Sequence, residues 1–147
     1  MTVNGPIKLL GGSLNGVGAV DSVAAISGSV APGGNSPGVL TVRGTLTFGS
    51  AATLSILLKG TGAGGGYAQL QAGGLIDLGG GTLSLNFGFG PPVGSSFEVL
   101  TNTGTAPITG TFKGLDEGAV FSQEGYQFQI TYQGGTGGNS VVLTRLA

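Results

Sequence analysis

The stretch "LTVRGTLTF", residues 40–48, decides the fold class. Leu40, Val42, Leu46 and Phe48 occupy its even positions, while Thr41, Arg43, Thr45 and Thr47 occupy odd ones. Successive side chains of a strand point to opposite faces, so an apolar period of two marks a strand with one face buried. Working outward, "TLSILLK" groups Leu54, Ile56 and Leu58, and "TLSLNFGF" groups Leu83, Leu85, Phe87 and Phe89. "YQFQITY" sets Tyr126, Phe128, Ile130 and Tyr132 against Gln127, Gln129 and Thr131, so Phe128 and Ile130 are expected inward and the glutamines outward. Gly, Asn, Ser or Pro interrupts the chain about every 8 to 12 residues, which leaves no window for a three-turn helix. Only "VDSVAAISG", residues 20–28, reads equally as a short helix or a strand. The expected class is all-β.

Composition bounds the rest. At 147 residues the chain suits one domain, burying about two-thirds of its unfolded surface. Charged residues make up 7% of it, against about 25% in ordinary soluble domains, and 33 glycines are about three times normal usage. Its surface must therefore be built from Thr, Ser, Asn, Gln and Gly. The five cations (Lys8, Arg43, Lys59, Lys113, Arg145) are scattered, so no basic stripe offers itself to nucleic acid. No apolar run approaches the roughly 18 residues of a membrane helix, which argues against membrane insertion. "MTVNGPIKLLGG" lacks the basic and apolar regions of a signal peptide and reads as a segment cut from a longer solenoid at Met1. With no cysteine, disulfides and thiolate chemistry are excluded.

Residues 11–38 ("GGSLNG", "SGSV", "PGGNSPG") read as short strands of small residues between tight turns, as in the rungs of a solenoid. After Tyr67 the chain becomes more aromatic and its strands are expected to lengthen. The domain therefore divides into small-residue coils (1–66) and aromatic-rich closing coils with a cap (67–147). No single fixed period is visible, so the expectation is an irregular β-helix.

Four pieces in order carry a family resemblance: "SGSVAPGGNSPGVLTVRGTLTF", "GYAQLQAGGLIDLGGGTLSLNF", "FEVLTNTGTAPITGTFKGLDEGAVF" and "ITYQGGTGGNSVVLT". Together they resemble the C-terminal passenger region of bacterial autotransporter-type and β-strand-repeat surface proteins. The resemblance implies the end of a right-handed parallel β-helix (a β-solenoid) at the cell surface, with a structural role. Ala68, Thr136 and Asn139 stand where the family pattern has acidic residues, which puts in doubt any metal role for those positions.

Chemical motifs are sparse. "GTGAGG", residues 60–65, matches a dinucleotide fingerprint, with Asp77 near the distance of a ribose carboxylate, but no helix follows to face a pyrophosphate. "GNSPG" matches a nucleophile elbow around Ser36, yet the chain has no histidine and Pro37 marks a turn. Asp116 and Glu117 are adjacent and read as turn residues, while Asp77, Glu98 and Glu124 are isolated in sequence. No catalytic residue and no cofactor is assigned. "GGTGGNSVV" has the glycine spacing of a calcium β-roll, but Asn139 replaces the ligating Asp, so a glycine turn is favoured over a metal site. Tyr67, Tyr126 and Tyr132 are candidate platforms for a glycan or, as an aromatic stripe at strand spacing, part of the core. Ice binding lacks a regular threonine array. The expected function is a non-catalytic, self-associating module of a bacterial extracellular β-solenoid, its partners being itself or neighbouring coils. The alternative is a glycan- or surface-binding adhesin.

Overall fold

The computed structural model describes residues 2–135 and 137–146, and over that span the chain is all-β, with eleven strands and no helix. Strand β1 (Thr2–Gly16) lies parallel to β2 (Gly18–Pro32). Along the other edge of β2 run β3 (Val39–Val42) and then β4 (Leu46–Leu58), again parallel. Next come β5 (Gln69–Ala72) beside β3, and β6 (Ile76–Asp77) and β7 (Thr82–Phe87) beside β4. β8 (Ser96–Asn102) follows beside β5. Residues 109–113 then run along β6, where Thr109 N–H donates to Ile76 O and Leu78 N–H to Thr109 O, both at 2.9 Å.

Each pass of the chain therefore overlies the one before, and like residues stack on like. Ile7, Val23, Leu46 and Ile76 share one register, and Leu14, Val30, Leu54 and Leu83 share another. Leu40, Leu70 and Leu100 form a third, at steps of 30 residues from Leu40 to Leu70 and from Leu70 to Leu100. The step is 16 residues from Leu14 to Val30, 24 from Val30 to Leu54 and 29 from Leu54 to Leu83. A growing step hides the repeat from any search at fixed period. The extra residues go into the turns at 33–38 and 59–68, which leave the register intact.

Two expectations about strands are corrected. The longest strands are β1 and β2 at 15 residues and β4 at 13, all before Tyr67, whereas those after it span 2 to 9. Of the glycines that read as turns in residues 11–38, Gly11, Gly12, Gly16, Gly18 and Gly28 lie inside β1 and β2, whereas Gly33 and Gly34 do form the turn after β2. At Gly28 φ is +89°, and a Cβ would stand 2.5 Å from Gly12 O, so only glycine lets the layers close there. The segment 20–28, ambiguous in sequence, belongs to β2.

The sheet is also mixed, where a uniformly parallel stack was expected. β9 (Val120–Gln123), β10 (Tyr126–Gly134) and β11 (Ser140–Arg145) form an antiparallel meander, joined to the parallel part by β11 against β8. The two-residue connection between β9 and β10 closes a hairpin of antiparallel neighbours. Between β9 and β10, Glu124 and Gly125 have φ of +50° and +85°, the positive values a tight hairpin turn demands.

The alternation seen in sequence is the alternation of burial. Leu40, Val42, Leu46, Phe48, Leu54, Ile56 and Leu58 are buried, as are Phe128 and Ile130, while Gln127 and Gln129 are exposed. At the closing end the core is aromatic: Phe128 lies 6.0 Å from Phe87, 6.3 Å from Phe97 and 6.0 Å from Phe121, centroid to centroid.

Candidate functional site

The feature with most chemical consequence is the edge of β1. A strand carries backbone N–H and C=O groups along both sides, and among the described residues β1 pairs with β2 alone. Its other edge presents an unpaired row, the kind of template on which a further strand adds. The side chains agree with the backbone. Ile7, Leu9 and Leu14 are half-buried, whereas Val23, Ala25 and Val30, which stand beneath them in register, are at most 1% exposed. The first layer is thus covered from one side only. Leu10, also on β1, is 68% exposed. Asp21 ties the entry of β1 to the layers below, its carboxylate accepting from Gly5 N–H and pairing with the Arg43 guanidinium. The Gly5 N–H first, and Arg43 second, hold the Asp21 carboxyl below the usual carboxylate range.

At the opposite end, polar side chains pair with backbone groups that strands leave open. Along β7, the Gln123 amide accepts from Leu85 N–H at 2.8 Å and donates to Leu83 O at 3.0 Å, so a side chain does the work of a neighbouring strand. At Glu98 on β8, the N–H donates to Tyr67 Oη at 3.1 Å, and the carbonyl accepts from Gln69 Nε2 at 2.8 Å. Tyr132 Oη accepts from Phe112 N–H at 3.0 Å and donates to Leu115 O at 2.5 Å. Burial pushes the Tyr132 phenol up to about 12, with Glu117 and Asp116 adding to the shift.

Asn139 is a staple of this end. Its Nδ2 donates to Gly104 O at 3.0 Å and to Ala106 O at 3.3 Å, and Asn102 Nδ2 also donates to Ala106 O, at 2.7 Å. The nitrogen meets these carbonyls and holds the 104–106 loop, while Asn139 Oδ1 is buried without a hydrogen-bond partner. No group of three or more acidic, histidine or cysteine side chains that could hold a metal occurs among the described residues. Thr136 lies outside them, as does Met1.

The other sequence motifs are dispersed. Residues 60–65 form a loop between β4 and β5, and Ser36 sits exposed in the turn after β2. Asp77 closes a local turn by accepting from Gly79 N–H at 3.0 Å. Asp116 and Glu117 lie in an exposed turn, where Glu117 Oε1 accepts from Tyr132 N–H at 2.8 Å, and Glu124 sits in the β9–β10 turn. Tyr67 and Tyr132 are each 6% exposed, with no free ring face, while Tyr126 packs at 4.8 Å from Phe87 under the Arg145 guanidinium. The tyrosines are core and cap residues, and no platform of three rings exists. Sequence reasoning missed Gln123, Gln69 and Asn102, whose partners lie 29 to 40 residues away or in an irregular loop, a separation no local pattern reports.

An open groove of about 410 Å³ crosses the outer face of the parallel layers, lined by Ser13, Asn15, Ser29, Asn35, Ser55 and Asn86 among others. No charged residue lines it, and Ser13 and Ser29 (2.8 Å) and Asn86 and Ser55 (2.9 Å) bond to each other across layers. Compared with known proteins, the chain matches no family model and no curated protein.

Proposed function

We propose that this chain is a non-catalytic structural module of an extracellular bacterial surface protein, built as a β-solenoid whose meander end closes a stack of layers and whose β1 end accepts another. The observation that carries the reading is the asymmetry of the ends: an unpaired edge over half-covered ladder residues at β1, and the Gln123 amide filling the edge at β7. Three residue ladders at one-layer spacing support the solenoid reading, because each layer buries its apolar face only against its neighbours. The scarcity of charge and the absence of cysteine and histidine support a scaffold over an enzyme. The resemblance to passenger regions supports placement at a cell surface.

The test adds a layer. Residues 17–32, one β2 layer with its connection, are duplicated ahead of residue 1, so that the added Val30 precedes Leu14 by 16 residues, the step from Leu14 to Val30. Covering Ile7, Leu9 and Leu14 should raise the thermal midpoint by at least about 4 °C, the equivalent of about 1 kcal/mol. An unchanged or lower midpoint overturns the layer-accepting role.

A second reading, glycan binding, is favoured by the uncharged hydroxyl- and amide-lined groove across Ser13, Ser29 and Asn86. A glycan array separates it from the first, since a scaffold gives no selective signal.

A further inference from the structure

We propose that the layer accepted by β1 is, in the isolated protein, β1 of a second copy, paired antiparallel about a two-fold axis so that the assembly closes at a dimer. The proposal rests on the open-edge reading above and names its occupant. Head-to-tail growth would need a free edge at the far end, and there the backbone groups of Leu83 and Leu85 on β7 are already taken by Gln123. The meander's own terminal strand, β9, is only 4 residues long and shares its last residue, Gln123, with β7. A copy that cannot offer its far end can offer only its own β1, and a contact between identical patches is two-fold and self-limiting.

The sequence of β1 fits that symmetry. In residues 5–16, "GPIKLLGGSLNG", an antiparallel pairing centred between Leu10 and Gly11 sets Ile7 opposite Leu14 of the second copy. Both are half-buried ladder residues, so each supplies the cover the other lacks. The same register sets Lys8 opposite Ser13 and Gly5 opposite Gly16. Lys8 is the one charged residue of β1. Pairing it with Ser13 keeps each Lys8 from lying opposite the Lys8 of the other copy. Alternative registers that bring Lys8 near its own copy set like charges opposite each other, which is destabilising.

The absence of cysteine makes the register directly testable. Lys8→Cys and Ser13→Cys change two exposed side chains and leave the ladder residues intact. Sedimentation of the unmodified chain from micromolar to near-millimolar concentration should show monomer and dimer and nothing larger. Mild oxidation of an equimolar mixture of the two variants should give a cross-linked Lys8→Cys/Ser13→Cys heterodimer, at a yield at least about tenfold above that of Lys8→Cys alone, because cross-strand partners have Cβ atoms near disulfide distance. A monomer throughout the range overturns the proposal. So do species that grow beyond the dimer, and so does a dimer in which Lys8→Cys links to itself as well as to Ser13→Cys. A monomer whose added-layer fusion still gains stability would sink the dimer while leaving the open edge standing; a fusion with no gain would remove both.

Discussion

The two ends of this protein solve the same problem in opposite ways. A sheet must stop somewhere, and its edge strands face the cost of unpaired backbone and half-covered apolar residues. At the meander end the cost is met by a side chain that imitates a strand, Gln123 on β7, over a tight aromatic cluster around Phe128. At β1 nothing comparable is present among the described residues, and Ile7, Leu9 and Leu14 remain half-covered. Sheet edges are normally blunted by charge, proline or cover, and of these β1 has only Lys8 and Pro6. The difference teaches that termination costs dedicated long-range contacts, and that where they are missing a surface is left for association.

The comparison breaks most decisively at Phe128. Removing this fully buried ring from among Phe87, Phe97 and Phe121 should cost about 3–5 kcal/mol in denaturant melts, against under about 1 for the exposed Gln129→Ala. Equal losses would mean that the closing end is not a packed core. The ladder sharpens the contrast between ends. Leu46→Ala, in a buried layer, should cost about 2–5 kcal/mol, and Ile7→Ala, in register with it at the open end, clearly less. A cost at Ile7 equal to that at Leu46 would show the first layer to be as well covered as the third.

Removing a cap comes next. Gln123→Ala leaves Leu85 N–H and Leu83 O without their partner, which should cost about 1–3 kcal/mol and speed amide exchange at Leu85 before the rest of the parallel sheet. Exchange at Leu85 that does not change would show the cap to be dispensable.

The ends should also fail at opposite extremes of pH. The Tyr132 phenol is raised from 10.0 to about 12 on folding, so its contribution is fully present below about 10 and is lost as pH rises from 10 towards 12. The Asp21 carboxyl is depressed, so its contribution is present above the ordinary value of 3.8 and is lost as pH falls below it. Amide exchange followed across pH should open the Phe112–Leu115 region first in alkali and the Gly5 region of β1 first in acid. Tyr132→Phe should flatten the alkaline loss; if it does not, the phenol is not its source.

The smallest effects belong to calcium. Thermal unfolding in excess calcium and in chelator should coincide. Asn139→Asp, which restores the β-roll residue, should lower the midpoint by placing a carboxylate against Gly104 O and Ala106 O, and calcium should not restore it. A calcium-dependent rise of more than about 10 °C in either protein would contradict the staple role of Asn139.

Residue order alone dictates the all-β class and the buried and exposed faces of its strands. Period-two alternation at Leu40–Phe48, Leu54–Leu58 and Tyr126–Tyr132 is a local consequence of strand geometry, so the buried and exposed sides followed from residue order alone. Histidine and cysteine counts, and the lone Asn139 in the glycine loop, were equally legible. Only the tertiary structure decided which layer covers which. Glycines in β1 and β2 look like turns until a neighbouring layer shows them to be bulges, as Gly28 against Gly12 does. The stacking of Leu40, Leu70 and Leu100 emerges once loops of unequal length have been folded out of the way. The reversal to an antiparallel meander, the amide of Gln123 standing in for a strand and the exposure of β1 depend on contacts between residues far apart in the chain. Local periodicity constrains the direction of a side chain but carries no information about what will lie against it.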